Sequence, residues 1–189
     1  MFNLSDYHIK DNITPEDIKE LIRIDDLVYG TEVYAGTYDI CKKWFTKNNQ
    51  IYTVLFYKNK IIGYINLMPL NKTTYLKMKS GQISDLDIES KNIVRFGNKG
   101  ASCILASIII LSEHRNKQVT KMFIEHFLQK IKKLNVLKII SVAVSEHGER
   151  FINKFQNVNF VSYDKNGDKI YEIILWLLVL IKPKDIFLT

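Results

Sequence analysis

Apolar and polar residues alternate in blocks along the chain, and the longest apolar block predicts the centre of a β-sheet. Residues 101–111 read ASCILASIIIL, which is typical of a strand buried on both faces. Residues 51–57 and 61–70 are rich in Ile, Val, Tyr and Phe and flank a polar Lys-Asn-Lys connection, which predicts an antiparallel hairpin. The chain is therefore expected to contain a sheet with a fully buried strand in its middle.

The C-terminal third predicts further strands. Residues 136–144 form a short apolar run, and residues 160–163 and 169–180 flank Asn166-Gly167, a strong signal for a tight hairpin turn. Residues 173–181 are nine consecutive apolar residues. A helix needs about 20 apolar residues to cross a bilayer, so this run predicts a buried strand and no membrane span.

Helical spacing begins after a clear start signal. Thr14 precedes Pro15 and a pair of acids, which is typical of a helix N-terminus, and Gly30 is a natural stop. Spacings of three and four residues place on one face Ile18, Leu21, Ile22, Asp25 and Val28. Further helices are predicted over residues 39–47, 119–134 and 149–157. Residues 76–100 are polar and irregular, with room for a short helix.

The order of these elements predicts the fold class. Strand 101–111 leads through a polar turn and a helix to strand 136–144, and a strand–helix–strand sequence of this kind forms a right-handed parallel unit. The flanking hairpins are antiparallel. We therefore expect an α/β protein of the α+β kind, with a central mixed β-sheet flanked by helices. A length of 189 residues fits one domain over residues 1–189.

Composition narrows the class of protein. Hydrophobic residues make up 47% and charged residues 25%, the mixture of an ordinary globular chain. The net charge of +7 suits a polyanionic partner, but the lysines are spread along the sequence, which favours a solvated surface over a nucleic-acid interface. Cysteine and histidine spacings match no disulfide framework or metal site. Because the N-terminus lacks the apolar core of a secretory signal, we expect a cytoplasmic protein without membrane association.

Candidate chemistry concentrates in the polar turn after the buried strand. A helix that starts there presents backbone N–H groups and the positive end of its dipole, which bind phosphate groups. Arg115, Lys117 and Lys121 add three positive charges at the same place. The sequence contains no Walker-type loop, Gly-x-Gly-x-x-Gly fingerprint or nucleophile elbow. Residues 107–134 therefore predict a pyrophosphate site of another kind.

The same turn carries a family resemblance. Its sequence, Arg115-Asn116-Lys117-Gln118-Val119-Thr120, resembles a degenerate form of the R/Q-x-x-G-x-G/A signature of the GNAT acetyltransferase superfamily. The strand before it and the helix after it are similar to that family's central strand and pyrophosphate helix. The resemblance implies a GNAT-like fold that uses acetyl-CoA, or another acyl-CoA, as co-substrate. It implies cofactor binding by Ile109, Ile110, Leu111, Arg115, Asn116, Lys117, Gln118, Val119, Thr120 and Lys121.

Several positions depart from the family pattern. Both small positions of the signature are altered, to Gln118 and Thr120, and a glutamine side chain crowds the backbone approach that glycine permits. Downstream, Phe155 stands where the family often has a tyrosine acting as general acid, and Gly148 stands at or near its frequent asparagine. These departures motivate an alternative, a catalytically inactive GNAT-like module that binds CoA or a protein partner.

The resemblance implies direct attack of an acceptor amine on the thioester. The carbonyl oxygen is then stabilised by a backbone N–H among residues 108–111. A general base has to lie within hydrogen-bond reach of the ammonium, directly or through water. Asp85 and Asp87 are the candidates for that base. The alternative for Ser84-Asp85-Leu86-Asp87 is a turn or a helix cap without a catalytic role.

Aromatic and acidic residues concentrate in the loop between the first two helices. Glu32, Tyr34 and Tyr38 are the candidates for acceptor binding, with an aromatic-anchored packing loop as the alternative. They suit a cationic acceptor, either a small-molecule amine or a protein amine. A third hypothesis, a basic nucleic-acid-binding protein, rests on net charge and predicts a steep salt dependence of affinity. The apolar residues 173–181 are a candidate contact for a homodimer.

Overall fold

The computed structural model describes residues 3–30, 38–97 and 99–175, and within them seven strands form one mixed sheet in the order β1-β2-β3-β4-β5-β7-β6. The expected mixed sheet is confirmed, and the apolar segment predicted as its central strand is β4, the fourth of the seven. The strands are β1 (Tyr7–Lys10), β2 (Tyr52–Tyr57), β3 (Lys60–Pro69), β4 (Ala101–Ile110), β5 (Val136–Ala143), β6 (Val158–Tyr163) and β7 (Lys169–Ile174).

Five α-helices lie in the same described ranges. They are α1 (Pro15–Tyr29), α2 (Tyr38–Lys47), α3 (Lys72–Lys79), α4 (Lys117–Lys133) and α5 (Glu146–Ile152), and short 3₁₀ helices cover Leu4–Asp6, Asp85–Asp87, Ser90–Asn92 and Ser112–His114. None of the helices in this part of the chain combines the length and the apolar character needed to span a bilayer.

The prediction of a helix over residues 149–157 is wrong in its bounds. The side chain of Ser145 accepts a hydrogen bond from the Gly148 N–H, so this N-cap starts α5 three residues earlier than expected. The helix ends at Ile152, and Phe155 lies in the turn beyond it.

Two compact units divide the chain, and the first comprises the described parts of residues 1–66 and 107–129. In it β2 pairs antiparallel with both β1 and β3, as a three-stranded run. The predicted start of α1 is confirmed as a reciprocal capping box, in which Thr14 accepts from the Asp17 N–H while the Asp17 carboxylate accepts from the Thr14 N–H. The apolar face of α1 buries Ile18, Leu21 and Ile24.

The second unit comprises the described parts of residues 67–106 and 130–189. Here β4 pairs in parallel with β5, as the strand–helix–strand order predicted, in a register that runs from Ala101 to Leu105 on β4. The final hairpin inserts β7 between β5 and β6, and its turn holds Gly167 at a φ of +87°, a conformation that glycine adopts without strain. Predicted strand residues beyond position 175, including most of 173–181, lie outside the described residues, and the dimer contact stays a prediction.

Helix α3 begins at Lys72, before the irregular region 76–100 of the sequence analysis, and its second half lies inside that region. Asn71 caps it by accepting from the Thr74 N–H. Its last turn is fixed to β7, because the buried Glu172 carboxylate accepts hydrogen bonds from the Tyr75 hydroxyl at 2.8 Å and from Lys79 Nζ at 2.7 Å. A helix of eight residues with a polar majority carries little periodic signal, and β1, with four residues, carries less.

Candidate functional site

At the end of β4, one edge of the strand is hydrogen-bonded to β3 and the other edge points away from β3. The Leu111 N–H donates to the Ile62 carbonyl at 2.8 Å. Because successive residues of a strand direct their N–H and C=O groups to opposite edges, Ile109 also faces β3, whereas Ile108 and Ile110 face away from it. The N–H groups of Ile108 and Ile110 are therefore the ones this segment can offer to a ligand.

Strands β3 and β4 approach each other closely at this point. A Cβ atom added to Gly63 would collide with the backbone carbonyl oxygen of Ile109. Only glycine therefore fits at position 63. The backbone of β4 at Ile109, just before the turn, is held close to β3.

Arg115 secures the turn from the other edge of β4. Its guanidinium donates to the Ile110 carbonyl from Nη2 at 2.9 Å and from Nε at 3.2 Å. The sequence analysis assigned Arg115 to phosphate binding by its charge and by the family resemblance of the turn. The structure shows that its side chain also fixes the geometry between the strand and the helix.

The short 3₁₀ helix Ser112–His114 is tied to the strands of the first unit through its last residue. The Tyr7 hydroxyl and His114 Nδ1 lie 3.2 Å apart, and the Tyr57 ring lies 4.8 Å from the His114 ring, centre to centre. His114 thus packs against two tyrosines at the end of β4 and has a structural role there.

Asn116 is the N-cap of α4. Its Oδ1 accepts hydrogen bonds from the Gln118 N–H at 3.1 Å and from the Val119 N–H at 3.0 Å. The two amides converge on one oxygen atom, as they would on a phosphate oxygen. Val119 is fully buried, so its side chain anchors the helix while its N–H faces the cap, and Lys117, Gln118 and Lys121 are exposed around it.

A family model described as the acetyltransferase (GNAT) family matches residues 18–160, which include this strand, turn and helix. The chain belongs to the GNAT acetyltransferase family. No curated protein sequence matches the chain.

Solved structures with the GNAT fold are similar to this chain at low identity. The loading GNATL domain of CurA from Lyngbya majuscula has a TM-score of 0.65 at 15% identity, covering 89% of this chain and 98% of its own length. GphF, a GNAT-like decarboxylase in complex with isobutyryl-CoA, has a TM-score of 0.66 at 11% identity, covering 89% of this chain and 99% of its own. Arabidopsis thaliana Naa50, in complex with the bisubstrate analogue CoA-Ac-MVNAL, has a TM-score of 0.58 at 10% identity, covering 88% and 97%.

Gln118 departs from the GNAT signature without distorting the turn. It lies inside α4 with its side chain exposed, and its φ is not in the left-handed region. A glycine is therefore not required here for conformational reasons. The expected crowding depends on where a ligand approaches the Gln118 side chain.

Asp25 is an acid that the sequence analysis placed in the apolar stripe of the first helix and did not connect with any chemistry. It lies on the apolar face of α1, where the Tyr64 hydroxyl from β3 donates to its Oδ1. Ser107 of β4 in turn interacts with the Tyr64 hydroxyl. An acid within an apolar helical stripe is the signal that could have identified it, because a carboxylate on a buried face needs a hydrogen-bond partner.

Asp85 and Asp87 lie in the second unit, in a 3₁₀ helix. The Asp87 carboxylate accepts from the Ser84 N–H at 2.8 Å and from the Ser84 hydroxyl at 2.9 Å, and these hydrogen bonds lower its pKa. Burial raises the pKa of Asp85, whose Oδ1 accepts from the Leu86 N–H. The helix-cap interpretation therefore describes what Asp87 does in the structure, and the catalytic role of both stays a prediction.

Of the acceptor candidates, Tyr38 is described, whereas Glu32 and Tyr34 lie outside the described residues. Tyr38 begins α2, and the ammonium groups of Lys19 and Lys42 lie 5.6 and 5.5 Å from its ring centre. Its ring thus already holds two cations of the protein itself. Among the residues that the structure describes, no group of three or more His, Cys, Asp or Glu side chains is placed to hold a metal ion.

Proposed function

We propose that this GNAT protein is an N-acyltransferase that transfers an acetyl or other acyl group from acyl-CoA to an amine of its acceptor. The observation that carries the proposal is the cap of α4, where two backbone amides converge on Asn116 Oδ1 directly after β4. A pyrophosphate oxygen is the ligand group that matches such a pair of donors at the positive end of a helix.

Binding of the cofactor pyrophosphate would exchange one acceptor for another. An anionic phosphate oxygen replaces Asn116 Oδ1 at the Gln118 and Val119 amides, and charge-assisted hydrogen bonds are stronger than those to a neutral amide. The exposed Lys117 and Lys121 add positive charge around the same amides. Arg115 meanwhile keeps the turn attached to Ile110.

The thioester carbonyl would lie along the edge of β4 that faces away from β3. The N–H of Ile108 or Ile110 donates to the oxyanion that forms when the amine attacks, while the Leu111 N–H remains with Ile62. One donor of this kind contributes about 3 kcal/mol to transition-state stabilisation in other acyl-transfer enzymes. Asp85 and Asp87 stay the bases predicted from the sequence, and an acid of α1 that reaches β4 through two hydroxyl groups is the competing proposal.

The acceptor is proposed to be a small-molecule or protein amine. The Naa50 complex supports a peptide acceptor, because its ligand joins CoA to a peptide on the same fold. The GphF complex with isobutyryl-CoA supports testing acyl groups larger than acetyl. Tyr38, Glu32 and Tyr34 stay the proposed acceptor contacts. The reaction is placed in the cytoplasm as part of the same proposal.

A second candidate function is an inactive GNAT-like module that binds CoA or a protein partner. Phe155 favours it, because this residue is buried against Phe151, with ring centres 5.3 Å apart, and offers no proton to the leaving thiolate. The two candidates share the pyrophosphate site and differ in turnover.

Calorimetry and turnover together distinguish the candidates. Acetyl-CoA, isobutyryl-CoA and CoA are titrated into the protein, and thiol release is followed with a panel of polyamines, aminoglycosides and peptides with free N-termini or lysines. The transferase predicts saturable binding and amine-dependent thiol release. Binding without release from any amine supports the inactive module. No binding of any acyl-CoA at millimolar concentration contradicts the transferase and the CoA-binding form of the module, and leaves only the form that binds a protein partner.

A further inference from the structure

A chain of three hydroxyl and carboxyl groups crosses the interior of the first unit. It starts at Ser107 of β4, passes the Tyr64 hydroxyl of β3 and ends at the Asp25 carboxylate of α1. The Tyr64 hydroxyl donates a hydrogen bond to Asp25, and the Ser107 hydroxyl is a second hydrogen-bond partner of the same Tyr64 oxygen. Three elements that are far apart in sequence thus contribute one hydrogen-bonded row.

The surroundings of this row favour the neutral form of the Tyr64 phenol. Burial and the charge of Asp25 raise the pKa of Tyr64 well above its ordinary value. Burial likewise raises the pKa of Tyr52 on β2, and it raises the pKa of Cys41 on α2 to about 11. These are the titratable groups that face Asp25 from β3, β2 and α2 among the described residues, and Asp26 is its neighbour on α1.

The row begins next to the proposed reaction centre. Ser107 directly precedes Ile108, whose N–H is one of the two proposed oxyanion donors on β4. Within residues 107–110 of β4, Ser107 is the side chain that can accept a proton from an amine attacking a thioester held there. Tyr64 is only 3% exposed, so water does not replace its hydroxyl in the row.

We propose that Asp25 is the proton acceptor of the acyl transfer and acts through Tyr64 and Ser107, a role that rests on the proposed N-acyltransferase function. Ser107 touches the substrate ammonium, and Asp25 and Tyr64 are positioning residues behind it. The row also suits one chemical class of acceptor, an aliphatic amine, because such a group arrives as an ammonium and must lose a proton before its nitrogen can attack.

The proton transfers balance as follows. The ammonium gives one proton to the Ser107 oxygen, the Ser107 hydroxyl proton moves to the Tyr64 oxygen, and the Tyr64 proton moves to Asp25, which becomes a neutral carboxylic acid. The free amine then forms the C–N bond and the C–S bond breaks. The leaving thiolate takes the second proton of the amine nitrogen, and Asp25 later returns its proton to solvent.

Variants along the row test the proposal against a matched control. Asp25→Asn, Tyr64→Phe and Ser107→Ala interrupt it, Asp25→Glu restores a carboxylate, and Glu20→Gln removes an exposed acid of the same helix that pairs with Arg23. Acyl-CoA affinity by calorimetry, kcat and KM are measured for each folded variant from pH 6 to pH 10. Two acceptors are compared, a peptide α-amine and a lysine ε-amine.

We expect Asp25→Asn to lower kcat at pH 7 by about 10²-fold, the usual contribution of a positioned base, with acyl-CoA affinity unchanged. The loss should be larger for the ε-amine, whose ordinary pKa is about 10.4, than for the α-amine, with a pKa near 8. It should shrink as the pH approaches the pKa of the amine, because a free amine needs no base. Asp25→Glu should recover part of the rate.

The outcomes separate the relay from the function on which it rests. If the wild type turns over and Asp25→Asn has the same kcat, proton transfer along the row (the relay) is overturned and the transferase function stands. The same holds if the loss of kcat is equal at every pH and for both amines. A wild-type protein that releases no thiol with any amine overturns both. Equal activities for Glu20→Gln and the wild type, with a pH-dependent loss in Asp25→Asn, support the relay.

Discussion

The guanidinium of Arg115 makes two hydrogen bonds to the carbonyl oxygen of Ile110, the last residue of β4. A carbonyl at a strand end otherwise turns to water, and a two-donor contact from a residue five positions later holds the turn in one conformation. Arg115, which the sequence predicts to bind a phosphate, therefore also has a structural role. Its substitution should lower both the stability of the fold and the affinity for the cofactor.

Arg115→Ala is expected to lower the free energy of unfolding by about 1 kcal/mol, the ordinary value of a hydrogen bond, and to weaken acyl-CoA binding. Lys117→Ala is the matched control, because it removes a positive charge from the same turn and leaves Ile110 bonded. Urea unfolding and calorimetry measure both quantities. A loss of stability as large in Lys117→Ala as in Arg115→Ala would show that the Ile110 contact is not what matters.

Asn116→Asp should separate the helix cap from the phosphate site. Aspartate caps a helix about as well as asparagine, so the stability should change by less than about 0.5 kcal/mol at pH 7. The carboxylate repels an incoming phosphate, and acyl-CoA affinity should fall about tenfold or more, equivalent to about 1.4 kcal/mol. Asn116→Ala should instead cost about 1 kcal/mol of stability. Undiminished acyl-CoA affinity in Asn116→Asp would place the pyrophosphate elsewhere.

Gly63→Ala should destabilise the sheet, because its methyl group meets the backbone carbonyl of Ile109 and a strand cannot yield as a flexible side chain does. Overpacking of this kind costs about 1–3 kcal/mol. Gly97→Ala serves as the control, since nothing lies within 4 Å of a Cβ built there. Thermal unfolding of the two variants gives the comparison, and equal melting temperatures would argue against the close approach of β3 and β4.

Glu172 predicts a pH dependence of stability. Burial alone would raise the pKa of Glu172, but hydrogen bonds from Lys79 and Tyr75 outweigh it and the pKa is lowered. A carboxyl with a lowered pKa in the folded state stabilises that state above its unfolded pKa, about 4.3, and the contribution is lost as the pH falls through the folded pKa.

The melting temperature of Glu172→Gln should therefore lie below that of the wild type by a constant amount from pH 8 to pH 6. The difference should shrink as the pH falls below about 5, where the Glu172 carboxyl of the unfolded wild-type chain begins to take up a proton while that of the folded protein is still ionised. Scanning calorimetry across this range measures it. A difference that stays the same down to pH 4 would mean that the charge of Glu172 does not contribute.

Much of the fold follows from local sequence. The capping box at Thr14, the buried run 101–111 and the Asn-Gly turn before β7 each use interactions within a few residues, and all three are present in the structure. The helix after β4 is equally local, because Asn116 satisfies its first amides by itself. Strand β1 has only four residues, and the sequence analysis did not predict it. The helix capped by Ser145 was predicted, but with a start three residues too late.

Hydrogen bonds to the less exposed acids join residues far apart in sequence. Tyr64 meets Asp25 across 39 positions, and Tyr75 meets Glu172 across 97. The sequence by itself determined most of the element order, the family resemblance and the strand, turn and helix of the proposed pyrophosphate site, because periodicity and capping act over neighbouring residues. Only the tertiary structure decided which acid is buried beside which hydroxyl, because burial and hydrogen bonding between distant residues depend on strand register and on how the helices pack.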